Sequence, residues 1–186
     1  PAAAGSPDAL DLEDVMVGRS QKMQELFKLI GKIASSNVSV LLRGESGTGK
    51  ELVARQIHSN SPRRKFPFVV IDCAAIPRDL VENELFGHEV GAYSGAGTRG
   101  TGKFDMANNG TVFLDEIAEL DLDLQSKILR VIQQGTFDRV GGTRPCQVDV
   151  RTIATTQSNL EERVQKLRFR QDLYHRLNVI ALELPP

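Results

Sequence analysis

Eight consecutive residues, Gly44-Glu45-Ser46-Gly47-Thr48-Gly49-Lys50-Glu51, have the types and spacing of a loop that wraps phosphate. Glycines let the backbone curl until its N–H groups point inward, and a helix starting there adds positive potential for an anion. Lys50 then reaches the β- and γ-phosphates of a nucleotide. Glu51 stands where a Ser or Thr hydroxyl usually ligates magnesium, and a carboxylate holds that ion only through water. The bland reading, a glycine-rich turn with no ligand, is opposed by the strand pattern before the loop and the helix pattern after it. Thr111-Val112-Phe113-Leu114-Asp115-Glu116 supplies the complement. Alone, an apolar strand ending in two acids reads as a surface turn. Beside a phosphate loop, Asp115 anchors magnesium and Glu116 orients and deprotonates an attacking water, a role worth ~10²–10⁴ in rate. Arg170 and Arg176 are the remaining charged candidates. On one continuous helix their spacing points them about 120° apart, so they cannot jointly clamp a nucleotide of their own subunit without a break in that helix. One use is to reach a neighbouring subunit's nucleotide; from the residues alone, two solvated helix arginines is the favoured reading.

The elements that position these groups alternate in type. An apolar face of Met23, Leu26, Phe27, Ile30 and Ile33, with Ser20 as N-cap, predicts a helix. Short β-branched runs at Val38–Leu42, Phe68–Ile71, Thr111–Leu114, Val150–Ala154 and Val179–Leu182 predict strands of a buried parallel sheet. Between them fall helices opened by Pro77, with Leu80, Val81 and Leu85, and around Leu124, Ile128, Leu129 and Ile132. One helical stretch is expected from about Asn159 to Leu177. The pattern is α/β, a mostly parallel sheet covered by helices on both faces. Residues 1–16 read as a linker or tail and 17–186 as the α/β core. His88–Thr101 reads as an inserted loop, and Gly135–Val148, around Gly141-Gly142, as an inserted hairpin.

Composition narrows the class. A chain of 186 residues can bury roughly 70% of its unfolded surface without a staple. The formal charge of −1 provides no field for nucleic acid or anionic lipid. The one dense basic run, Arg63-Arg64-Lys65, reads as a solvated loop. Cys73 and Cys146 form no CxxC pair, and the three histidines show no ligand spacing with them, so a reduced compartment and no structural metal are expected. No apolar run approaches the ~18 residues of a membrane span. The start at Pro1, without a signal-peptide pattern, reads as a fragment of a longer cytoplasmic chain.

With these motifs in place, the chain from about Val17 to Pro186 resembles the central AAA+ domain of bacterial enhancer-binding proteins, the activators of sigma-54 RNA polymerase. The most specific likeness is Glu84-Leu85-Phe86-Gly87-His88-Glu89 followed by Gly91-Ala92-Tyr93-Ser94-Gly95-Ala96. That hexapeptide is similar to the family's GAFTGA loop, which contacts the sigma factor. Read bottom-up, Tyr93 is only an aromatic at the tip of a loop, a packing anchor by default. The resemblance implies that Gly135–Gln147 is the second pore-facing loop. It also implies that Thr156 is the sensor I threonine and that Arg170 and Arg176 are the paired arginines of a subunit interface. Tyr93 and Ser94 stand where Phe and Thr are commonest, and Gln157 replaces the sensor I Asn. Asp72 stands where an Asn usually acts as a switch on the catalytic glutamate, and an Asp there would repel Glu116.

The resemblance implies ATP and Mg2+ as cofactors, sigma-54 as partner, a hexameric ring, and conversion of closed promoter complexes to open ones. It also implies a small helical lid, which the sequence stops short of, and DNA binding through a C-terminal domain of the parent protein. Two alternatives stay open on the residues alone: another AAA+ ATPase acting on DNA or protein, and an ATP-binding assembly module with negligible turnover. A small-molecule P-loop kinase ranks last, since no substrate-binding segment is evident.

Overall fold

The computed structural model describes residues 21–184, with side chains from residue 28 onward. The expected linker, the Ser20 cap, the side chains of Met23, Leu26 and Phe27, and Pro185-Pro186 lie outside the described residues. The chain runs α1 (Gln21–Ala34), β1 (Val40–Arg43), α2 (Lys50–Ser59), β2 (Phe68–Asp72), α3 (Arg78–Phe86), α4 (Lys103–Met106) and β3 (Thr111–Asp115). After a 3₁₀ turn at Ile117–Glu119 come α5 (Leu122–Gln134), β4 (Thr136–Asp138), β5 (Pro145–Gln147), β6 (Arg151–Thr156), α6 (Leu160–Gln165), α7 (Gln171–Leu177) and β7 (Ile180–Glu183).

Five strands form one parallel sheet in the order β2-β3-β6-β1-β7. Strand alternation assigns each residue a face. Val40, Leu42, Phe113 and Ile153 pack with α1 and α2, through Ile30, Ile33, Val53 and Ile57. Leu41, Val112, Leu114 and Ala154 pack on the other face with α3, α5 and α7, through Val81, Leu85, Ile128 and Leu173. Both faces are dry, which is why the strands read as continuous apolar runs rather than alternating ones. All five strands run the same way, so Arg43, Asp72, Asp115, Thr156 and Glu183 end on one edge of the sheet. The expected hairpin is present, β4 antiparallel to β5 with Phe137 opposite Cys146.

Two expectations are corrected. The helical stretch at Asn159–Leu177 is two helices, broken between Gln165 and Gln171. Leu167 adopts a left-handed φ of 55°, Leu167 N–H donates to Val164 O (3.0 Å) and Arg168 N–H to Arg163 O (2.8 Å). These are the paired bonds of a Schellman helix end. The usual signal for that end is Gly, and here a leucine 81% exposed occupies the position. Arg63 is also not solvated. Its guanidinium donates to Asp149 Oδ1 (2.7 Å), Asp149 O (3.0 Å) and Asn37 Oδ1 (3.1 Å), clamping the approach to β6. Arg151, at the start of β6, is buried and donates to the terminal carbonyls of α1, Ile33 O (2.9 Å) and Ala34 O (3.0 Å). Burial pushes its pKa down to about 10.

Candidate nucleotide site

The phosphate loop joins β1 to α2 at the edge where the strands end. Gly47 and Gly49 hold φ of 82° and 80°, conformations a side chain rarely tolerates. A Cβ at Gly44 would lie 2.9 Å from Thr48 Oγ1, so the turn also closes too tightly for a larger residue. Gly49 is the N-cap of α2 and supplies no side-chain cap. Its first N–H groups and the helix dipole are therefore available to an anion, as a nucleotide phosphate requires. Lys50 is buried; its Nζ donates to Gly44 O (2.9 Å) and Glu45 O (2.8 Å) and lies 3.8 Å from Glu116 Oε1.

Asp115 and Glu116 close the other wall. Thr155 Oγ1 donates to Asp115 Oδ1 and accepts the Glu116 N–H (3.1 Å), so one hydroxyl fixes both acids. Glu116 sits in the left-handed region at φ 52°, ψ 52°, at a cost of order 1–3 kcal/mol for a non-glycine residue. That turn brings its carboxylate back over the loop, where Oε2 accepts the Gln157 N–H (3.2 Å). Ser46, Gly47, Lys50, Asp72, Asp115 and Glu116 line a shared cleft of about 400 Å³.

Glu51 also lines this cleft, and its Oε1 accepts both Nε (2.9 Å) and Nη2 (2.6 Å) of Arg55, one turn along α2. Thr156 is buried, and its Oγ1 accepts the Ser158 N–H (3.0 Å), shaping the entry to α6. Asp72 Oδ1 accepts the N–H groups of Ala74 and Ala75, both at 3.0 Å. Among the described residues no hydrogen bond joins Asp72 to Glu116, and none groups three metal-ligating side chains. Among the described residues the second carboxylate oxygen of Asp115 has no hydrogen-bond partner.

Thr155 escaped the sequence reading. The signal was parity plus register: Leu114 pairs with Ala154, so Asp115 stands opposite Thr155, and both point to the α2 face. Arg170 caps α7 at its start and pairs with Asp172, Nη2–Oδ2 2.8 Å; Asp172 raises its pKa. Arg176 is exposed on α7, with no hydrogen bond or ion pair to its side chain among the described residues. The Gly91–Ala96 segment closes on itself through Gly91 N–H to Ala96 O (2.9 Å). It leaves Tyr93 49% exposed, its ring 5.1 Å from that of His88.

A phosphate loop, a strand-end acid pair and a self-closed glycine hexapeptide on one sheet narrow the comparison to few families. The profile described as the sigma-54 interaction domain matches residues 16–183. The chain belongs to the sigma-54 interaction domain family. It is 56% identical over 171 residues to the DNA-binding transcriptional regulator NtrC of Salmonella typhimurium, covering 92% of this chain and 36% of that one. It is 53% identical to the regulatory protein LuxO of Vibrio vulnificus, covering 91% and 38%. The chain thus spans little more than a third of these curated relatives. The crystal structure of NtrX from Brucella abortus in complex with ATP superposes with a TM-score of 0.85 at 40% identity, over 94% of this chain and 38% of that one. The P-loop NTPase domain of an Escherichia coli sigma-54 activator, at 18% identity and TM-score 0.63, shares the fold. The chain has the fold of a P-loop NTPase domain of AAA+ type, with the parallel sheet described above as its core. No helix among the described residues is long and apolar enough to cross a membrane.

Proposed function

We propose that this chain is the ATP-hydrolysing motor of a cytoplasmic sigma-54-dependent transcriptional activator, working as a hexameric ring that remodels the polymerase from closed to open promoter complex. The observation that carries the proposal is the Gly44–Lys50 loop, Asp115 and Glu116 meeting in one cleft on the strand-end edge. Lys50 exchanges its two loop carbonyls for the β- and γ-phosphates of ATP. The carboxylate of Glu116, held over the loop by its left-handed turn and the Gln157 N–H, takes a proton from water as that oxygen bonds to the γ-phosphorus and the bond to the β-phosphate oxygen breaks. Asp115 would hold magnesium, which would supply charge neutralisation at the phosphates. Arg170, half-buried at the N-cap of α7, and Arg176, exposed in its last turn, serve the neighbouring subunit's nucleotide, a contribution typically worth ~10³–10⁵ in turnover. Tyr93 and the surrounding Gly91–Ala96 loop contact sigma-54, and DNA is bound by a part of the parent protein outside this sequence.

The test is turnover and partner binding in the full-length protein. Glu116→Gln should retain ATP and lose hydrolysis, and unchanged turnover would remove Glu116 from its role. Sigma-54 should bind in the presence of a transition-state analogue of ATP and not when Tyr93 is replaced by Ala. Hydrolysis without any sigma-54 binding would leave an AAA+ motor with another partner.

A further inference from the structure

Arg43 is the last residue of β1, immediately before the phosphate loop, yet alternation turns its side chain away from the nucleotide, to the face carrying Leu41. There its Nη2 donates to Glu161 Oε1 at 2.7 Å. Tyr174 Oη donates to the same carboxylate oxygen, also at 2.7 Å, and Asn178 Nδ2 donates to Tyr174 Oη at 2.9 Å. Arg43 and Tyr174 together hold the Glu161 carboxyl down at about 2, the Arg43 hydrogen bond being the larger cause. The four residues come from three segments: the strand feeding the phosphate loop, the first turn of α6, and α7 with its C-cap. Tyr174 lies one turn after Arg170, whose carbonyl accepts the Tyr174 N–H (3.0 Å), and two residues before Arg176. Glu161 lies four residues after Gln157, whose N–H holds Glu116. Packing alone would seat α7 through Leu173 and Leu177, but an apolar contact leaves a short helix free to slide or rotate by fractions of a turn. A charged, directional pair does not. Among the described residues two buried atoms of the set, Arg43 Nε and Asn178 Oδ1, have no hydrogen-bond partner. A network kept despite two orphaned polar atoms is a costly way to provide packing alone.

We propose that Arg43, Glu161 and Tyr174 form a positioning relay that holds α7, with Arg170 at its N-cap and Arg176 in its last turn, at a set distance from its own phosphate loop. Each subunit then presents Arg170 and Arg176 to its neighbour in a placement set by its own nucleotide site. The relay rests on the function proposed above, and its residues touch neither substrate nor metal.

The experiment uses the full-length protein with Tyr174→Phe, which removes one hydroxyl from a half-buried ring, and Arg43→Met. Each should lower kcat for ATP hydrolysis about 5–20-fold with KM within about twofold, and the double variant should fall no further than the worse single variant, as members of one network do. The deciding measurement mixes Tyr174→Phe with Glu116→Gln subunits. The first keep an intact hydrolytic site and the second intact arginines, so mixed rings should turn over several-fold faster than the separate proteins combined. A defect in the variant's own site would not be rescued by its neighbour, and absence of rescue would overturn the relay. So would a full-rate Tyr174→Phe protein or multiplicative losses in the double variant. Arg170→Ala run alongside separates the two levels: if it kept the parent rate, the trans-arginine reading itself would fall, and the relay with it.

Discussion

Replacing Thr155 by Val tests the geometry of the acid wall most directly, because shape is kept and one hydroxyl is lost. That hydroxyl donates to the Asp115 carboxylate and accepts the Glu116 N–H, and Thr155 is fully buried. A hydrogen bond to a charged group contributes about 1.5–3 kcal/mol, and an orphaned buried N–H costs about 1–3 kcal/mol. The added methyl returns about 0.8 kcal/mol, leaving a net loss of about 2–5 kcal/mol. With a urea slope of about 2 kcal/mol/M, the unfolding midpoint should fall by about 1–2.5 M. Activity should fall further than stability implies. Glu116 occupies a left-handed conformation that its own N–H bond to Thr155 helps hold, and without that bond the strain relaxes by moving the carboxylate. Displacement of a reacting group by about 1 Å costs about 10²-fold in rate. Thr155→Ser, which keeps the hydroxyl, should stay within about tenfold of the parent kcat. A Thr155→Val protein within 0.5 kcal/mol of the parent and equally active would refute the claim that this hydroxyl organises the two acids.

Four other outcomes follow from the same structure. Arg170→Ala should lower kcat by about 10³-fold while changing the ATP Kd less than about threefold, because among the described residues its side chain bonds only the exposed Asp172; equilibrium binding and steady-state turnover together check this. Gly87→Ala should cost at least about 3 kcal/mol in thermal or urea unfolding, since φ is 70° and the new Cβ would meet Gly100 O at 2.3 Å. Gly91→Ala, with nothing within 4 Å, should pay only about 1 kcal/mol for its φ. Burial holds His58 below its ordinary pKa, with the charges of Arg151 and Arg55 acting in the same direction, and its Nδ1 lies 2.9 Å from Thr111 Oγ1. The folded state therefore binds fewer protons than the unfolded one, so this stability is present above the unfolded value of about 6.5 and is lost as pH falls through the folded one. Melting between pH 7.5 and 5.5 should show that slope, and His58→Gln should flatten it.

What the sequence disclosed depended on whether a signal was local. β1 and β3 are short apolar runs beside turn chemistry, and both were legible, as was the hairpin around Gly141. The loop glycines were legible because their conformations exclude other residues. The break before α7 was not, because a leucine takes the left-handed position where the sequence offers no glycine. Thr155 and Thr156 are chemically identical neighbours, and only register against β3 tells which one reaches Asp115. Glu51 and Arg63 have partners that sequence leaves unspecified: Arg55 one helical turn away, and Asp149 on the far side of the chain. Charged side chains choose among many possible partners, and only the folded backbone ranks them.

The same alternation that hid Thr155 explains how two functions share one edge without interfering. Asp115 and Thr155 point to the face of α2 and the phosphate loop, whereas Arg43 and Thr156 point to the face of α6 and α7. Along a strand, successive side chains stand about 3.3 Å apart and on opposite sides. Thr155 thus braces the acids while Thr156, one peptide away, shapes the turn into α6; Arg43 grips α6 while Gly44, the next residue, opens the phosphate loop. Under the proposed function, the strand ends, more than the exposed loops, are therefore the places where substitutions should couple turnover at one nucleotide to the arginines offered to the next.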